Sequence, residues 1–293
     1  MQIDYPKTVP CKADSSCALQ KTFVVPPHAT ILFEDTRVIA LLFAKDDAPE
    51  LIEELGQLRS LTFASMGLKN EYGLDIYDDY YQQIVILDKE RAAIVGGMRV
   101  GLGDKLLAEH GKHGLYLTKY WDFSDQMLEI VHQSIDIGRL WIQPTYQKQR
   151  WGFLAVWKAM LTFLYSTPHP FFLGFIGLVD SAYSSREILM NYLWHYYRMD
   201  AHLALSRHPV MLTSYAEYCH EHKNLDAAQA YRKVVTKLEK NDPDYPFPLH
   251  VRYLPKYNAK LIGDFCQDSL DNEILCLFLW TREDTQTWVR FVA

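Results

Sequence analysis

Residues 136–157 constrain the fold of this chain more than any other stretch. They read DIGRLWIQPTYQKQRWGFLAVW. The first part is typical of a strand, Pro144 opens a polar loop, and a helix follows that contains one glycine, Gly152. A strand, a polar loop and a helix start can hold a phosphate, because unpaired N–H groups and the helix dipole both favour an anion there. The alternative is ordinary packing within an α/β fold.

Composition excludes several classes of protein. The chain has 293 residues, 49% hydrophobic and 23% charged, which indicates a globular protein. The net charge of -6 gives no basic face for nucleic acid, so no nucleic-acid partner is expected. The longest apolar run, PFFLGFIGLV, has about half of the ~20 residues that a membrane span needs.

The cysteines and the N-terminus predict where the protein works. Five cysteines without a CxxC motif are typical of a reduced cytoplasm, and the start MQIDYPKTVP lacks the features of a signal peptide. A cytoplasmic protein is therefore expected, and peripheral contact with the inner membrane is left open. The histidines show no zinc-binding spacing, so no metal is expected.

Periodicity predicts the order of helices and strands. Strands are expected at 30–44, 84–87, 94–100, 116–124, 136–142 and 171–179. Helices are expected at 46–67, 126–135, from 149 to about 165, at 184–197 and as a hairpin at 215–240. Short strands are expected at 248–293, including CLFLWT and TWVRFVA. Asp47 is expected to cap the first helix, and Ser184 with Glu187 to form a capping box. Pro49 suits the first turn of that first helix, and Gly67 its end.

This order predicts an α/β (α+β) fold with a twisted, mixed, mostly antiparallel sheet flanked by helices. Residues 1–45 are expected to form an extension packed on the core, and residues 46–211 the core itself. Residues 212–293 are expected to add a helical hairpin and closing strands to the same domain.

Charged residues on otherwise apolar elements are the candidates for chemistry, because burying them unpaired is costly. The candidates are Arg59, Asp75, Asp78, Arg99, Asp136 and Arg139. We expect one ion network near a shared cleft, with separate surface salt bridges as the alternative. Strand alternation places Asp136 on the face of Gly138, Leu140 and Ile142, and Arg139 on the other face.

The ordered set Arg59-x-x-x-Phe63, Asp75-x-x-Asp78, Arg99 and Asp136-x-x-Arg139 resembles the pattern of the acyl-homoserine-lactone synthases. Those enzymes belong to the Gcn5-related N-acyltransferase superfamily. The set is more similar still to the hemolysin-like N-acyltransferases, which include ornithine-lipid, glycine-lipid and N-acyl amino acid synthases. The resemblance covers roughly residues 50–270.

Two departures from the family pattern bear on function. The family's glutamate on the strand of the opening stretch is Asp136 here, one methylene shorter. The glycine-rich phosphate loop is reduced at 149–154 to a single glycine, Gly152. The reduced loop favours a donor held by its phosphopantetheine arm, such as acyl carrier protein, over tightly bound coenzyme A.

The resemblance implies an N-acyltransferase that moves a fatty acyl group, long-chain by expectation, from acyl carrier protein or acyl-CoA to the amine of an amino acid such as glycine or ornithine. The donor is then a substrate, and no permanent cofactor is expected. Asp136 is assigned to the acceptor amine, while Arg139 and Arg99 brace the acidic cluster or hold the acceptor carboxylate. Arg59, Asp75 and Asp78 complete the acceptor cluster.

The resemblance implies a donor site along residues 136–157, the stretch quoted at the start. Two strands are expected to separate there, and a backbone N–H near 141–143 is expected to hold the thioester oxygen. The donor-binding candidates are Trp141, Ile142, Gln143, Lys148, Gln149, Arg150, Trp151, Gly152 and Phe153. A short-chain acetyl-CoA-dependent acetyltransferase and a non-catalytic acyl-binding module are the alternatives. The acceptor, the acyl length and the oligomeric state are open from the sequence.

Overall fold

The computed structural model describes residues 25–68, 73–179, 183–199, 202–243, 251, 254 and 258–286. The strands are β1 (Thr30–Glu34), β2 (Val38–Phe43), β3 (Gln82–Asp88), β4 (Ala93–Leu102), β5 (Trp121–Phe123), β6 (Ser134–Ile142), β7 (Phe171–Leu178), β8 (Ala204–Ser206), β9 (Lys260–Leu261), β10 (Cys266–Gln267) and β11 (Ile274–Thr281). The helices are α1 (Pro49–Ser65), α2 (Gly103–His110), α3 (Asp125–His132), α4 (Pro144–Gln147), α5 (Arg150–Ser166), α6 (Tyr183–Tyr197), α7 (Tyr215–His222) and α8 (Ala227–Asn241).

One large sheet organises these elements. Its strand order is β1-β2-β3-β4-β6-β7-β11-β10, and β9 pairs with β11. The pairs are antiparallel except β6 with β7, which is parallel. The short strands β5 and β8 form a separate two-stranded sheet. The predicted mixed, mostly antiparallel sheet flanked by helices is therefore confirmed.

Strand alternation divides the core into two layers. On β7, for example, Phe172 and Ile176 pack with α5, α6 and α8 on one face of the sheet, while Leu173 packs with α2 and α3 on the other. Helix α1 covers β2, β3 and β4 on the same face as α2 and α3. The candidate site lies on this second face, between the layer under α1 and the layer under α2 and α3.

Strands β6 and β7 separate early, and this positions the candidate site. They pair only at Ser134↔Phe171, Ile135↔Phe172 and Asp136↔Leu173. The antiparallel pairing of β6 with β4 continues on its other side to Ile142. The predicted divergence of the two strands toward their C-terminal ends is thus confirmed, and Asp136 stands at the last paired position.

Several local predictions are confirmed and others are wrong. The strand pair at 30–44, the hairpin of β3 and β4, and the helical hairpin of α7 and α8 all form. Pro49 begins α1, and Gly67 follows its end at a φ of 86°. Asp47 does not cap α1, because Ala48 holds that position and the Asp47 carboxylate instead accepts from the N–H of Ala44 at 3.0 Å.

The expected strand at 116–124 is mostly wrong. Only Trp121–Phe123 is extended, while Tyr116–Lys119 forms a 3₁₀ turn. The expected capping box is also wrong, because α6 begins at Tyr183 and the Glu187 carboxylate accepts from the N–H of Thr213. The segment TWVRFVA lies outside the described residues. The division into three chain segments stays a prediction, although β1 and β2 already belong to the sheet.

Candidate active site

The charged residues of the sequence pattern converge on one face of the sheet. Arg59 of α1 donates to both carboxylate oxygens of Asp78, at 3.0 and 2.7 Å, and both side chains are almost fully buried. Asp78 also accepts from the side chain of Gln83 at 3.0 Å and from the N–H of Asp75 at 2.7 Å. The buried carboxylate of Asp78 is therefore neutralised by a cation and enclosed by hydrogen bonds, as a buried charge requires.

Asp75 joins the two arginines of the sheet. Arg99 donates to one of its carboxylate oxygens at 2.6 Å, and Arg139 donates to the other at 3.0 Å. Arg99 also lies 3.6 Å from Asp78. Burial alone would raise the pKa of Asp75, but the charges of Arg99 and Arg139 hold it below its usual value. All five residues thus form one ion network.

Arg139 reaches this network because β6 contains a bulge. Gly97 pairs with Trp141 and Arg99 with Gly138, so two residues of β6 oppose Met98. Arg139 takes a φ of 51°, a left-handed conformation that costs about 1–2 kcal/mol for a residue with a side chain.

Because of the bulge, the predicted assignment of β6 side chains to the two faces of the sheet is wrong from Arg139 onward. Arg139 was expected on the face opposite Asp136, but its side chain contacts Asp75 on the face that carries Arg99. Beyond the bulge the alternation is reversed. Trp141 packs into the layer under α1, whereas Leu140 and Ile142 pack toward α5.

Asp136 is buried, with 2% of its surface exposed, and it pairs with a tyrosine. The phenol of Tyr81 donates to its carboxylate at 2.5 Å, and the N–H of Tyr116 donates to the Tyr81 oxygen at 3.1 Å. Burial raises the pKa of Asp136 to about 6, against the opposing effects of the Tyr81 hydrogen bond and the Arg99 charge. A carboxylate with such a pKa can accept protons near neutral pH.

Gly101 allows Tyr81 to reach Asp136. Gly101 lies directly opposite Asp136 in the pairing of β4 with β6. A Cβ at position 101 would stand 2.8 Å from a ring carbon of Tyr81. Tyr81 is a site residue that the sequence prediction missed, since its contact with Asp136 depends on this register and on a glycine opposite the acid.

Aromatic rings enclose the arginines. The guanidinium of Arg99 lies 5.6, 5.1 and 4.9 Å from the ring centres of Tyr77, Tyr81 and Tyr116. Tyr116 also lies 5.0 Å from the guanidinium of Arg139 and stacks on Phe175 of β7 at 5.9 Å. Tyr116 therefore connects the ion network to the strand that separates from β6, and the sequence prediction did not include it.

The donor-binding candidates fall into a group at the exposed start of α5 and a group that is buried or half-buried. Lys148 and Arg150 are exposed, and Gln149 accepts from the Trp151 indole at 2.6 Å. The guanidinium of Arg37, which the prediction did not include, lies 4.3 Å from the Trp151 ring. Together these residues place an exposed, partly basic surface at the start of α5.

The buried and half-buried candidates also contribute to packing and to the hydrogen bonds of the sheet. A Cβ at Gly152 would stand 3.3 Å from Val95, and Phe153 packs on Trp157 with ring centres 5.8 Å apart. The N–H of Gln143 donates to the carbonyl of Val95 at 2.9 Å, so it is engaged within the sheet. The role of Gly152 toward a phosphate stays a prediction.

Two surveys of the described residues concern metals and membranes. No group of three or more histidine, cysteine or acidic side chains in the described part of the chain could hold a metal ion. Within the same ranges, the helices are too short or too polar to cross a bilayer.

Comparison with known proteins points to the family that the sequence pattern resembles. Residues 58–158 match the model of the acetyltransferase (GNAT) domain. Over 114 residues, 36% of this chain, the sequence is 33% identical to a glycine N(alpha)-acyltransferase of Phocaeicola vulgatus. Over 119 residues it is 31% identical to a glycine N(alpha)-acyltransferase of Bacteroides thetaiotaomicron. Each match spans about a third of the relative's length, 35% in both cases.

Among solved structures, the chain is similar to FeeM, an N-acyl amino acid synthase from uncultured soil microbes. That likeness has a TM-score of 0.46 and 8% identity, and it covers 87% of this chain and 98% of the other. The match of 58–158 includes β3, β4, β6 and the start of α5, which carry most of the network described above. Residues 58–158 are therefore similar to the GNAT acetyltransferase domain that the ordered pattern of charged residues indicated.

Proposed function

We propose that this protein transfers an acyl group from a thioester to the amine of a small amino acid. The observation that carries the proposal is Asp136, a buried carboxylate with a raised pKa at the point where β6 and β7 separate. Amide formation needs a proton acceptor beside the attacking amine and an open strand edge for the donor, and both meet at this residue.

The donor is proposed to lie along the open edge of β6. Beyond Asp136 this edge has no strand partner on the β7 side among the described residues. The amide groups of a phosphopantetheine arm can pair with such an edge as another strand would. Because the N–H of Gln143 points to β4 and successive N–H groups alternate, that of Ile142 points to the open side. We assign it to the thioester oxygen.

The reaction then proceeds without a covalent enzyme intermediate. The ammonium group of the acceptor loses a proton to solvent, and the free amine attacks the thioester carbonyl. A C–N bond forms, the C–S bond breaks, and the nitrogen gives its second proton to Asp136 directly or through one water. The proton then passes to the departing thiolate, which restores the carboxylate of Asp136 for the next turnover.

Glycine is the first acceptor to test, since the two curated relatives are named glycine N(alpha)-acyltransferases. We propose a fatty acyl donor, carried by acyl carrier protein or coenzyme A, and the exposed Lys148 and Arg150 suit the phosphate of either. Ornithine as the acceptor and a peripheral position at the inner membrane stay predictions.

The test combines purified full-length protein with acyl donors of different chain lengths, on acyl carrier protein or coenzyme A, and with a panel of amino acids. Mass spectrometry of the products identifies both substrates. An N-acyl amino acid that requires Asp136 supports the proposal. Transfer from acetyl-CoA alone would favour the short-chain alternative. Donor binding without transfer to any amine would contradict the proposal and favour an acyl-binding module.

A further inference from the structure

Gly138 differs from the other glycines of the large sheet. A Cβ at Gly96 or Gly97 would meet backbone oxygens at 2.3 Å, and one at Gly101 would meet Tyr81. At Gly174 it would come within 3.0 Å of a carbonyl oxygen. These positions are glycine because neighbouring atoms already fill the place of a side chain. At Gly138, apart from its two chain neighbours, no atom of the described residues lies within 4 Å of the added Cβ.

Backbone conformation does not explain Gly138 either. It is absent from the residues of the described chain that have a positive φ, so an ordinary L-residue fits its backbone. The residue is half-buried and lies in the middle of β6. A glycine in a strand interior weakens the strand, and it often marks a place where a ligand comes close.

The open space at Gly138 borders the reactive groups. Gly138 pairs with Arg99, and Asp136 pairs with Gly101 two residues away, so all four residues share one face of the sheet. Asp136 is also the last residue of β6 that pairs with β7. The space therefore lies beside the proposed proton acceptor, next to the edge assigned to the donor, and close to the charges of Arg99 and Arg139.

We propose that Gly138 determines which acceptors the enzyme accepts, because the amine and α-carbon of the acceptor occupy the space above it. The inference rests on the proposed function and deepens it. The acceptor class is a small α-amino acid, whose amine lies toward Asp136 and whose carboxylate lies toward the arginine pair. A side chain at position 138 would take the place of the substrate rather than of an atom of the described residues.

The experiment compares Gly138→Ala and Gly138→Val with the wild type on glycine, alanine and a larger amino acid. Neither substitution should lower the melting temperature or weaken donor binding, since a Cβ at position 138 clashes with no described residue and a side chain suits a strand better than glycine does. Gly138→Ala should lower kcat/KM for glycine by about tenfold and for the larger acceptors by more, in keeping with the selectivity of about 10–200-fold per methylene in a tight pocket. Gly138→Val should abolish transfer to all three.

Gly101→Ala is the matched control on the same face. Its Cβ would stand 2.5 Å from Leu106 and 2.8 Å from Tyr81, so it displaces both side chains and should slow all acceptors by the same factor. A loss graded by acceptor size is then specific to position 138. If both Gly138 variants transferred the acyl group at the wild-type rate and with unchanged acceptor selectivity, this inference would be overturned. The proposed function would still stand. A wild type that acylates no amine would overturn both.

Discussion

The hydroxyl of Tyr81 lies 2.5 Å from a carboxylate oxygen of Asp136, and both groups are sealed from solvent. Burial and the neighbouring carboxylate raise the pKa of Tyr81 well above its usual value, so the phenol stays protonated and remains a donor. The tyrosine therefore holds one oxygen of Asp136, and in the proposed mechanism the second oxygen accepts the substrate proton. This pair makes the candidate site testable by pH as well as by substitution.

Asp136→Asn should lower kcat by about 10²–10⁴-fold, the usual range for loss of a general base, while donor binding persists. In the wild type, kcat/KM should fall as the pH drops below about 6, where Asp136 becomes protonated. Stopped-assay product analysis from pH 5 to 9, with donor binding followed separately, checks both effects. Full activity of the asparagine variant across that range would exclude Asp136 as the proton acceptor.

Tyr81→Phe should move the acidic limb of the wild-type pH profile to higher pH. The hydrogen bond from Tyr81 lowers the pKa of Asp136, so its removal lets burial raise that pKa further. Tyr80→Phe is the control, because Tyr80 stacks on His110 and has no described contact with Asp136. An unchanged profile in Tyr81→Phe would show that the pair does not set the protonation of the acid.

The stability of the fold should also depend on Asp136. Its pKa is about 6 in the fold against 3.8 for an unperturbed aspartate, so its contribution to stability is complete below pH 4 and is lost as the pH rises through 6. Relative to the wild type, Asp136→Asn should therefore gain up to about 3 kcal/mol in free energy of unfolding between pH 4 and pH 8. Urea unfolding at several pH values measures this gain, and a constant difference would contradict it.

Arg59→Leu should destabilise the protein by about 3–5 kcal/mol, because it removes the cation that hydrogen-bonds both oxygens of the fully buried Asp78 carboxylate and leaves only Arg99 at 3.6 Å among the described residues. Lys45→Ala is the matched control, since Lys45 pairs with Asp79 at the surface and such pairs contribute less than about 1 kcal/mol. Equal effects of the two substitutions in urea unfolding would show that burial of the Arg59–Asp78 pair is not decisive.

Much of the fold was predictable from local patterns. Apolar runs of strand length predicted β3, β4, β6 and β7. Pro144, which follows β6, was the basis for predicting that β6 and β7 separate. The network of Arg59, Asp75, Asp78, Arg99 and Arg139 follows from the cost of burying charges on apolar elements, so the sequence could indicate that they meet.

The features that escaped prediction depend on contacts between distant segments. The bulge at Arg139 reverses the alternation of β6, and no periodicity within the strand reveals it. Tyr81 becomes a site residue only because Gly101 lies opposite Asp136, which is a property of the register. Asp47 does not cap α1, because its carboxylate accepts a hydrogen bond from the N–H of Ala44.

The early separation of β6 from β7 also affects how the protein avoids unwanted association. Unpaired backbone groups at the outer border of a sheet invite strands from other molecules and promote aggregation. Here the borders of β6 and β7 beyond Asp136 and Leu173, which have no strand partner between them among the described residues, face each other in the middle of the sheet, with β4 and β11 already paired on their far sides. A second protein chain would have to enter between two strands of the same sheet, whereas a slender amide-containing molecule needs far less room. The fold therefore does not offer this backbone hydrogen-bonding capacity to neighbouring proteins, and the edge it protects is the one where the donor is proposed to bind.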